Sequence, residues 1–387
     1  MPRLLWLFSL VNLVIGTGAF VLGGIVAPLA SDLGVSVPSA GQAMTAYALS
    51  TALLAPLVLL ATGRWPRKRA LLLALGLFAA GNVLCALAQS LTALLIGRAL
   101  MGLGATFTPI AAGIAVSMVE PARRGQALAF VFLGISLAYV VGVPLGAWLG
   151  LQYGWHVPIW LVVGLCGPAI VAVLMWVPAQ IDAPGARLAG LGGLLARRDV
   201  MGVLLITLLY FVAIFAVFAY IGPVLQALAP MSGVRLSITL ALFGLSGVVG
   251  TLIGGAANDR FGSRRTLAVQ LSVLGITMAV LPLTAGSWPV LIVVLLVWGT
   301  AGFGMMAPQQ SRLAALAPAQ APVLLSLNTS MLYLGTAGGA IVGAGLASSL
   351  GFQRLSWAGL PFVAAGLVLL WLVPTWRPSP TAKERIA

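Results

Sequence analysis

Acidic residues are nearly absent from this sequence. Only six of its 387 residues are Asp or Glu: Asp32, Glu120, Asp182, Asp199, Asp259 and Glu384. Charged residues of both signs make up 7%, where a soluble domain carries about 25%. A water-facing surface cannot be built from such a chain. Histidine occurs once and cysteine twice. A lone imidazole and two thiols far apart in apolar runs, Cys85 and Cys166, argue against a disulfide framework and against a zinc site. No metal and no cofactor are expected. The formal charge of +14 reflects scarce acids more than plentiful bases. Its cations are scattered over loops instead of gathered on one folded face, so nucleic acid is not an expected partner.

What is abundant is apolar: 61% of the residues are hydrophobic. Runs long enough to cross a bilayer fall near 5–30, 38–61, 70–89, 91–118, 125–150 and 157–177. After a polar break they resume near 200–228, 237–257, 266–286, 289–311, 323–349 and 356–374. Backbone groups in lipid need internal partners, so these twelve runs are expected to be helices. The 47 glycines favour close approach between them. The opening MPRLLWLFSLVNLVIGTGAF has one cation and no clear small-residue cleavage site, so it reads as a first span and not as a removed signal peptide.

Lys and Arg set the orientation. With the N-terminus cytoplasmic, one side holds Arg3, the cluster Arg64, Arg67, Lys68 and Arg69, then Arg123, Arg124, Arg187, Arg197 and Arg198. It also holds Arg260, Arg264, Arg265, Arg312, Arg377, Lys383 and Arg385, while the other side has only Arg235 and Arg354. Both termini are therefore expected inside. The 64–69 cluster follows the second span, with Trp65 at the interface and anionic lipid heads as its expected contacts. Arg98 alone lies within a span.

The chain repeats itself. TGRWPRKR at 62–69 parallels NDRFGSRR at 258–265, an offset of 196. Gly102, Gly104 and Pro109 parallel Gly302, Gly304 and Pro308, and Pro28 parallels Pro223. The expected division is a six-helix half over 1–177, a cytoplasmic linker over 178–199 and a second half over 200–387. Parallel six-span repeats place a transporter's substrate site between the halves near the midplane.

The motifs carry a resemblance. GGAANDRFGSRR resembles the loop motif between spans eight and nine of the major facilitator superfamily, and LIGRALMGLGA its fourth-span motif. GISLAYVVGVPLGAWLG resembles the fifth-span motif associated with its antiporters, with Gly134, Gly142, Pro144 and Gly146 in place. FAYIGPVLQ and SLNTSMLYLGTAGGAIVG resemble its bacterial drug-efflux branch, which includes sugar and nucleoside exporters. The resemblance implies a twelve-helix membrane protein of two six-helix halves related by a pseudo-two-fold axis, working as a monomer in the bacterial inner membrane. It implies multidrug-type efflux by alternating access and proton antiport. It makes Asp259, Arg260, Arg264 and Arg265 an ion-pair latch, with Gly142 and Pro144 at a bend where the halves rock.

Two positions depart from that pattern. Gly63 stands where the second half has Asp259, so Glu120 becomes the candidate partner of the 64–69 cations. Ala19, in GTGAF, stands where relatives carry a first-span acid. No acid lies in the middle of any span, and a buried carboxylate is the usual proton carrier. Asp32 and His156, near outer span ends, remain as coupling candidates. Coupling through them, coupling through the cargo's own ionisation, and uncoupled facilitation all stay open. Arg98 is a site candidate because charge inside a membrane is costly; a structural bond to neighbouring carbonyls is the alternative. Phe20, Tyr47, Tyr139, Trp298 and Gln310 are the other binding candidates. A cavity without carboxylates suits a small neutral or weakly anionic organic molecule, such as a drug, sugar or nucleoside. A membrane enzyme would need a nucleophile–base pair, a metal cluster or paired carboxylates, and the sequence offers none of these.

Overall fold

The computed structural model describes residues 3–120, 123–181, 193–194, 196–317 and 320–372. Most of the expected linker, together with Asp182, Arg187, Arg377, Lys383, Glu384 and Arg385, lies outside the described residues.

The described chain is helical throughout. Eleven helices are long and apolar enough to cross a membrane. The last of these, Val323–Leu372, contains Gly351 at φ +68°, a backbone angle that ends an α-helix and suits glycine. A 3-10 turn over Leu355–Gly359 completes the reversal, and Leu360–Leu372 returns as a separate helix. The count is therefore twelve, at the expected places.

In the first half, spans one to six cover 3–32, 37–61, 67–86, 91–117, 124–153 and 156–176. In the second, spans seven to twelve cover 198–228, 233–261, 263–284, 288–316, 321–354 and 360–372. Spans two and five each contain a π-helical stretch, Ser50–Leu54 and Ala138–Gly142. Pro56 and Pro144 follow these stretches. A proline offers no N–H to the carbonyl four residues back, which here is that of Ala52 or Val140, and the wider π turn absorbs the mismatch.

The duplication is visible in polar contacts. In the first half, Asn12 Nδ2 donates to the Val131 carbonyl (3.0 Å) and Thr108 Oγ1 donates to Asn12 Oδ1 (2.7 Å), tying spans one, four and five. In the second, Gln309 Nε2 donates to Thr207 Oγ1 (2.9 Å), which donates to Asn328 Oδ1 (2.6 Å), tying spans seven, ten and eleven. Lys68 Nζ donates to the Leu174 carbonyl at the end of span six (2.6 Å). Arg264, its repeat equivalent, donates to the Trp371 carbonyl at the end of span twelve (3.0 Å). Each cation sits on the negative end of a helix dipole.

The two halves meet on one side and part on the other. Away from the basic loops, Gly23 lies against the Phe218 carbonyl and Gly222 against the Gly24 carbonyl, each 2.7 Å from where a Cβ would stand. Gly41 lies against the Tyr220 ring, and Tyr220 Oη donates to the carbonyls of Ala340 (2.9 Å) and Pro38 (3.4 Å). Span eight runs antiparallel to span five, with Gly233 beside Leu151 and Gly244 beside Tyr139. Toward the basic loops this seam ends. The segments Ala55–Ala61, Phe107–Ser117 and Met306–Leu316 make no more than glancing contact with the opposite half among the described residues. Leu194, Val200, Val203, Leu204, Leu313, Leu316 and Leu324 form an apolar cluster of their own there.

Candidate transport site

Where the seam gives way, aromatic rings from both halves converge. Phe20 of span one stacks on Tyr139 of span five, with centroids 4.9 Å apart. Tyr139 meets Phe303 of span ten (5.0 Å) and Phe218 of span seven (5.7 Å) edge-on. Phe20 also reaches Phe215 (6.0 Å). The chain continues from Phe303 to Phe243 of span eight (5.9 Å) and on to Trp298 (4.9 Å). Across the second seam, Tyr47 of span two meets Tyr333 of span eleven at 6.1 Å. Spans one, two, five, seven, eight, ten and eleven thus supply one apolar, π-rich region, and the hydroxyls of Tyr47 and Tyr139 belong to it. The Tyr47 hydroxyl and the Trp298 indole N–H are buried without a hydrogen-bond partner among the described residues.

Of the candidates named from sequence, Phe20, Tyr139 and Trp298 are joined by this network, and Tyr47 lies at its edge. Gln310 is exposed, two turns along span ten from Phe303 and on the same face. Its neighbour Gln309 is fully buried on Thr207 and the Val203 carbonyl.

Arg98 is placed differently. It is 2% exposed. Its Nε donates to the Ala43 carbonyl (3.1 Å), one terminal nitrogen to Gly18 (2.7 Å) and the other to Ala19 (2.6 Å). The guanidinium also lies over the Tyr47 ring, 4.8 Å from its centroid. These bonds pin span four to spans one and two inside the first half. The structural alternative raised from sequence describes this geometry, and the guanidinium's forks are turned to backbone, away from the junction of the halves.

The gating candidates are not joined by ion pairs in this conformation. Among the described residues, salt bridges form only between Asp32 and His156 and between Arg197 and Asp199. Asp259 and Glu120 are exposed. Arg264 caps span twelve and lies over the Trp371 ring (4.7 Å), while Arg260 lies over Phe261 (5.3 Å). Arg265 is exposed. Gly142 lies against Thr17 of span one, and Pro144 opens the helical segment after the π stretch.

The two coupling candidates stand together. Asp32 Oδ2 accepts from Trp155 Nε1 (2.8 Å) and lies 3.5 Å from His156 Nε2. His156 Nδ1 is 2.9 Å from the Ala86 carbonyl. They line a vestibule with Leu33, Leu87, Ala88 and Gln89, on the side away from the basic loops. Sequence spacing could not show this pairing, because spans one and six are brought together only by the bundle.

A sequence profile of the Major Facilitator Superfamily matches residues 8–326. The chain is similar to the inner membrane transport protein YdhP of Escherichia coli (strain K12), with 31% identity over 95% of this chain and 94% of that one. It is also similar to a chloramphenicol resistance protein of Streptomyces lividans, with 32% identity over 95% of each. Among solved structures, a D-xylose-proton symporter superimposes with a TM-score of 0.80 at 17% identity, covering 96% of this chain and 97% of that one.

Proposed function

The chain belongs to the Major Facilitator Superfamily, a family of membrane transporters, and from that premise we propose that it exports a small neutral, ring-containing organic molecule by alternating access. The carrying observation is the convergence of Phe20, Tyr139, Phe218, Phe243, Trp298 and Phe303 where the halves begin to part. Such a surface binds flat apolar groups through stacking, and pockets of this kind use few polar groups for orientation. Arg98 is engaged by carbonyls, and the ring network itself is built of uncharged side chains. A relative named as a chloramphenicol resistance protein accords with this chemistry. A bacterial inner-membrane location accords with the name of YdhP.

The distribution of Lys and Arg supports placing the basic loops in the cytoplasm, and on that reading this conformation is inward-open. The outward-open state needs the basic ends of the halves to close. Spans five and eight pair antiparallel, Gly244 with Tyr139 and Gly233 with Leu151. Carried on, that register sets Asp259 opposite Arg124. Their ion pair is the proposed inner latch. Uncoupled facilitation remains the second reading, since no carboxylate enters the ring network.

Reconstitution into liposomes with an imposed pH gradient tests both. Neutral aromatic substrates should accumulate, and dicationic ones should not. Transport of none of the neutral compounds would defeat the cargo reading, and accumulation indifferent to the gradient would defeat antiport.

A further inference from the structure

The chain has six tyrosines, and a buried tyrosine hydroxyl usually finds a partner. Tyr153 is exposed. Tyr210 and Tyr220 are buried and follow the rule. Tyr210 Oη donates to the Ala301 carbonyl (2.9 Å) and Tyr220 Oη to the Ala340 carbonyl (2.9 Å). The three at the junction of the halves differ. Tyr47 is 1% exposed, and its hydroxyl has no hydrogen-bond partner among the described residues. Tyr333 stands edge-on to it, 6.1 Å between centroids, and the two hydroxyls are near enough to interact yet are joined by no hydrogen bond. Tyr139 lies within electrostatic reach of both. Tyr139 and Tyr333 are only half-buried, although each sits mid-span in ring contact with the opposite half. An unpaired buried hydroxyl is costly, and here spans two, five and eleven bring three phenols to one place.

We propose that Tyr47, Tyr139 and Tyr333 form the polar pole of the cargo site, and that the cargo is a neutral ring compound bearing a hydroxyl beside its ring. The inference rests on the ring-stacking reading of the junction given above and adds the group that orients the ring. Phe20, Tyr139 and Phe303 supply the surface for the flat part. The Arg98 guanidinium lies over the Tyr47 ring, 4.8 Å from its centroid. A nearby positive charge favours the phenol as a donor, so Tyr47 donates to the cargo oxygen. Tyrosine hydroxyls both donate and accept, so the cargo's own O–H finds an acceptor in Tyr139 or Tyr333. Tyr47 belongs to the first half and Tyr333 to the second, and a hydroxyl held between them bridges the halves. A hydrocarbon of the same shape leaves the phenols unpaired and is rejected for that reason.

The test is equilibrium binding to the full chain in detergent. The probes are phenethyl alcohol, naphthalenemethanol and anthracenemethanol, each beside the hydrocarbon in which hydrogen replaces the hydroxyl. The alcohols should bind about threefold to tenfold more tightly than their hydrocarbons. Tyr47→Phe should bring that ratio close to one without lowering Tm, because its hydroxyl bonds no described residue. Should Tyr47→Phe fail to fold, Tyr333→Phe, read in the same way, decides. Tyr210→Phe removes a bonded hydroxyl and should instead lower Tm and keep the ratio. Equal affinities of alcohol and hydrocarbon for the unaltered protein overturn the proposal and leave the ring reading standing. A ratio that Tyr47→Phe leaves unchanged overturns it as well. Failure of every ring compound to bind defeats the ring reading itself, and this proposal with it.

Discussion

Arg98 and Trp298 occupy the same place in the two halves. Each stands four residues before the first glycine of its repeat, Gly102 or Gly302. Arg98 lies over Tyr47 of span two at 4.8 Å, and Trp298 stacks on Phe243 of span eight at 4.9 Å. One half fills the position with a cation held by backbone, the other with a buried indole stacked on a neighbouring ring. The duplicated scaffold thus carries a backbone-held cation in one half and, in the other, a ring that we propose contributes to cargo recognition.

Arg98→Lys should be severely destabilising. Lysine cannot span three carbonyls on two helices, because it lacks the planar fork. Breaking a buried charged network costs about 3–5 kcal/mol. The expected result is a strong fall in Tm or in yield of folded protein. A variant with unchanged Tm would contradict the role assigned to those bonds.

Trp298→Ala should weaken cargo binding and, because the side chain is 2% exposed, should also destabilise the fold by about 3–5 kcal/mol. Loss of one stacking partner beyond simple burial is worth about 0.5–1.5 kcal/mol. Trp298→Phe should restore most of the affinity for ring-containing neutral compounds. Equilibrium binding measured on all three proteins checks this, and equal affinities would remove Trp298 from the site.

Gly41→Leu should hold the outer seam open. Any side chain there meets the Tyr220 ring. Overpacking costs about 1–3 kcal/mol, and each 1.4 kcal/mol is about tenfold in a population. Labelling of a reporter cysteine at Ser36 should rise, and net transport should fall.

Asp259→Arg should impair the outward-open state, and Arg124→Asp added to it should recover transport. An exposed ion pair contributes about 0.2–1 kcal/mol, so the loss is modest and should shrink at high salt. Absence of recovery in the double variant would reject the pairing.

Thr207→Val should cost about 1–2 kcal/mol. It removes the hydroxyl that receives Gln309 and donates to Asn328, leaving both amides short of a partner. Thermal unfolding in the same detergent measures the loss.

Span number and placement were legible in the sequence because lipid demands an unbroken apolar run for every crossing, and nothing subtle has to be read. The repeat was legible because its glycines and prolines recur at nearly one offset. The partners of Arg98 were not, since carbonyls belong to every residue and leave no sequence mark. Nor was the meeting of Asp32 with His156, which depends on how spans one and six pack. The aromatic junction was half visible. Phe20, Tyr139 and Trp298 are among the candidates named from sequence, but Phe218, Phe243 and Phe303 carry no sequence mark and join them only where helices from opposite halves lie side by side. The latch expected at Asp259 is not formed in this conformation, and a single sequence does not say which state its motifs serve.

Gly63 gives the two seams unequal tasks. The loop after span two brings Arg64, Arg67, Lys68 and Arg69 with no acid, and the start of span eleven, toward which it would close, is a helix N-terminus and so itself partly positive. Closure along that edge is electrically uphill. Closure along the other edge has one acid to offer, the proposed pairing of Asp259 with Arg124. A rocking motion driven from one edge and resisted at the other is a tilt and not a symmetric clasp. Under the proposed cycle, dissolved salt, which screens exposed charge, is expected to change how long the basic side stays open.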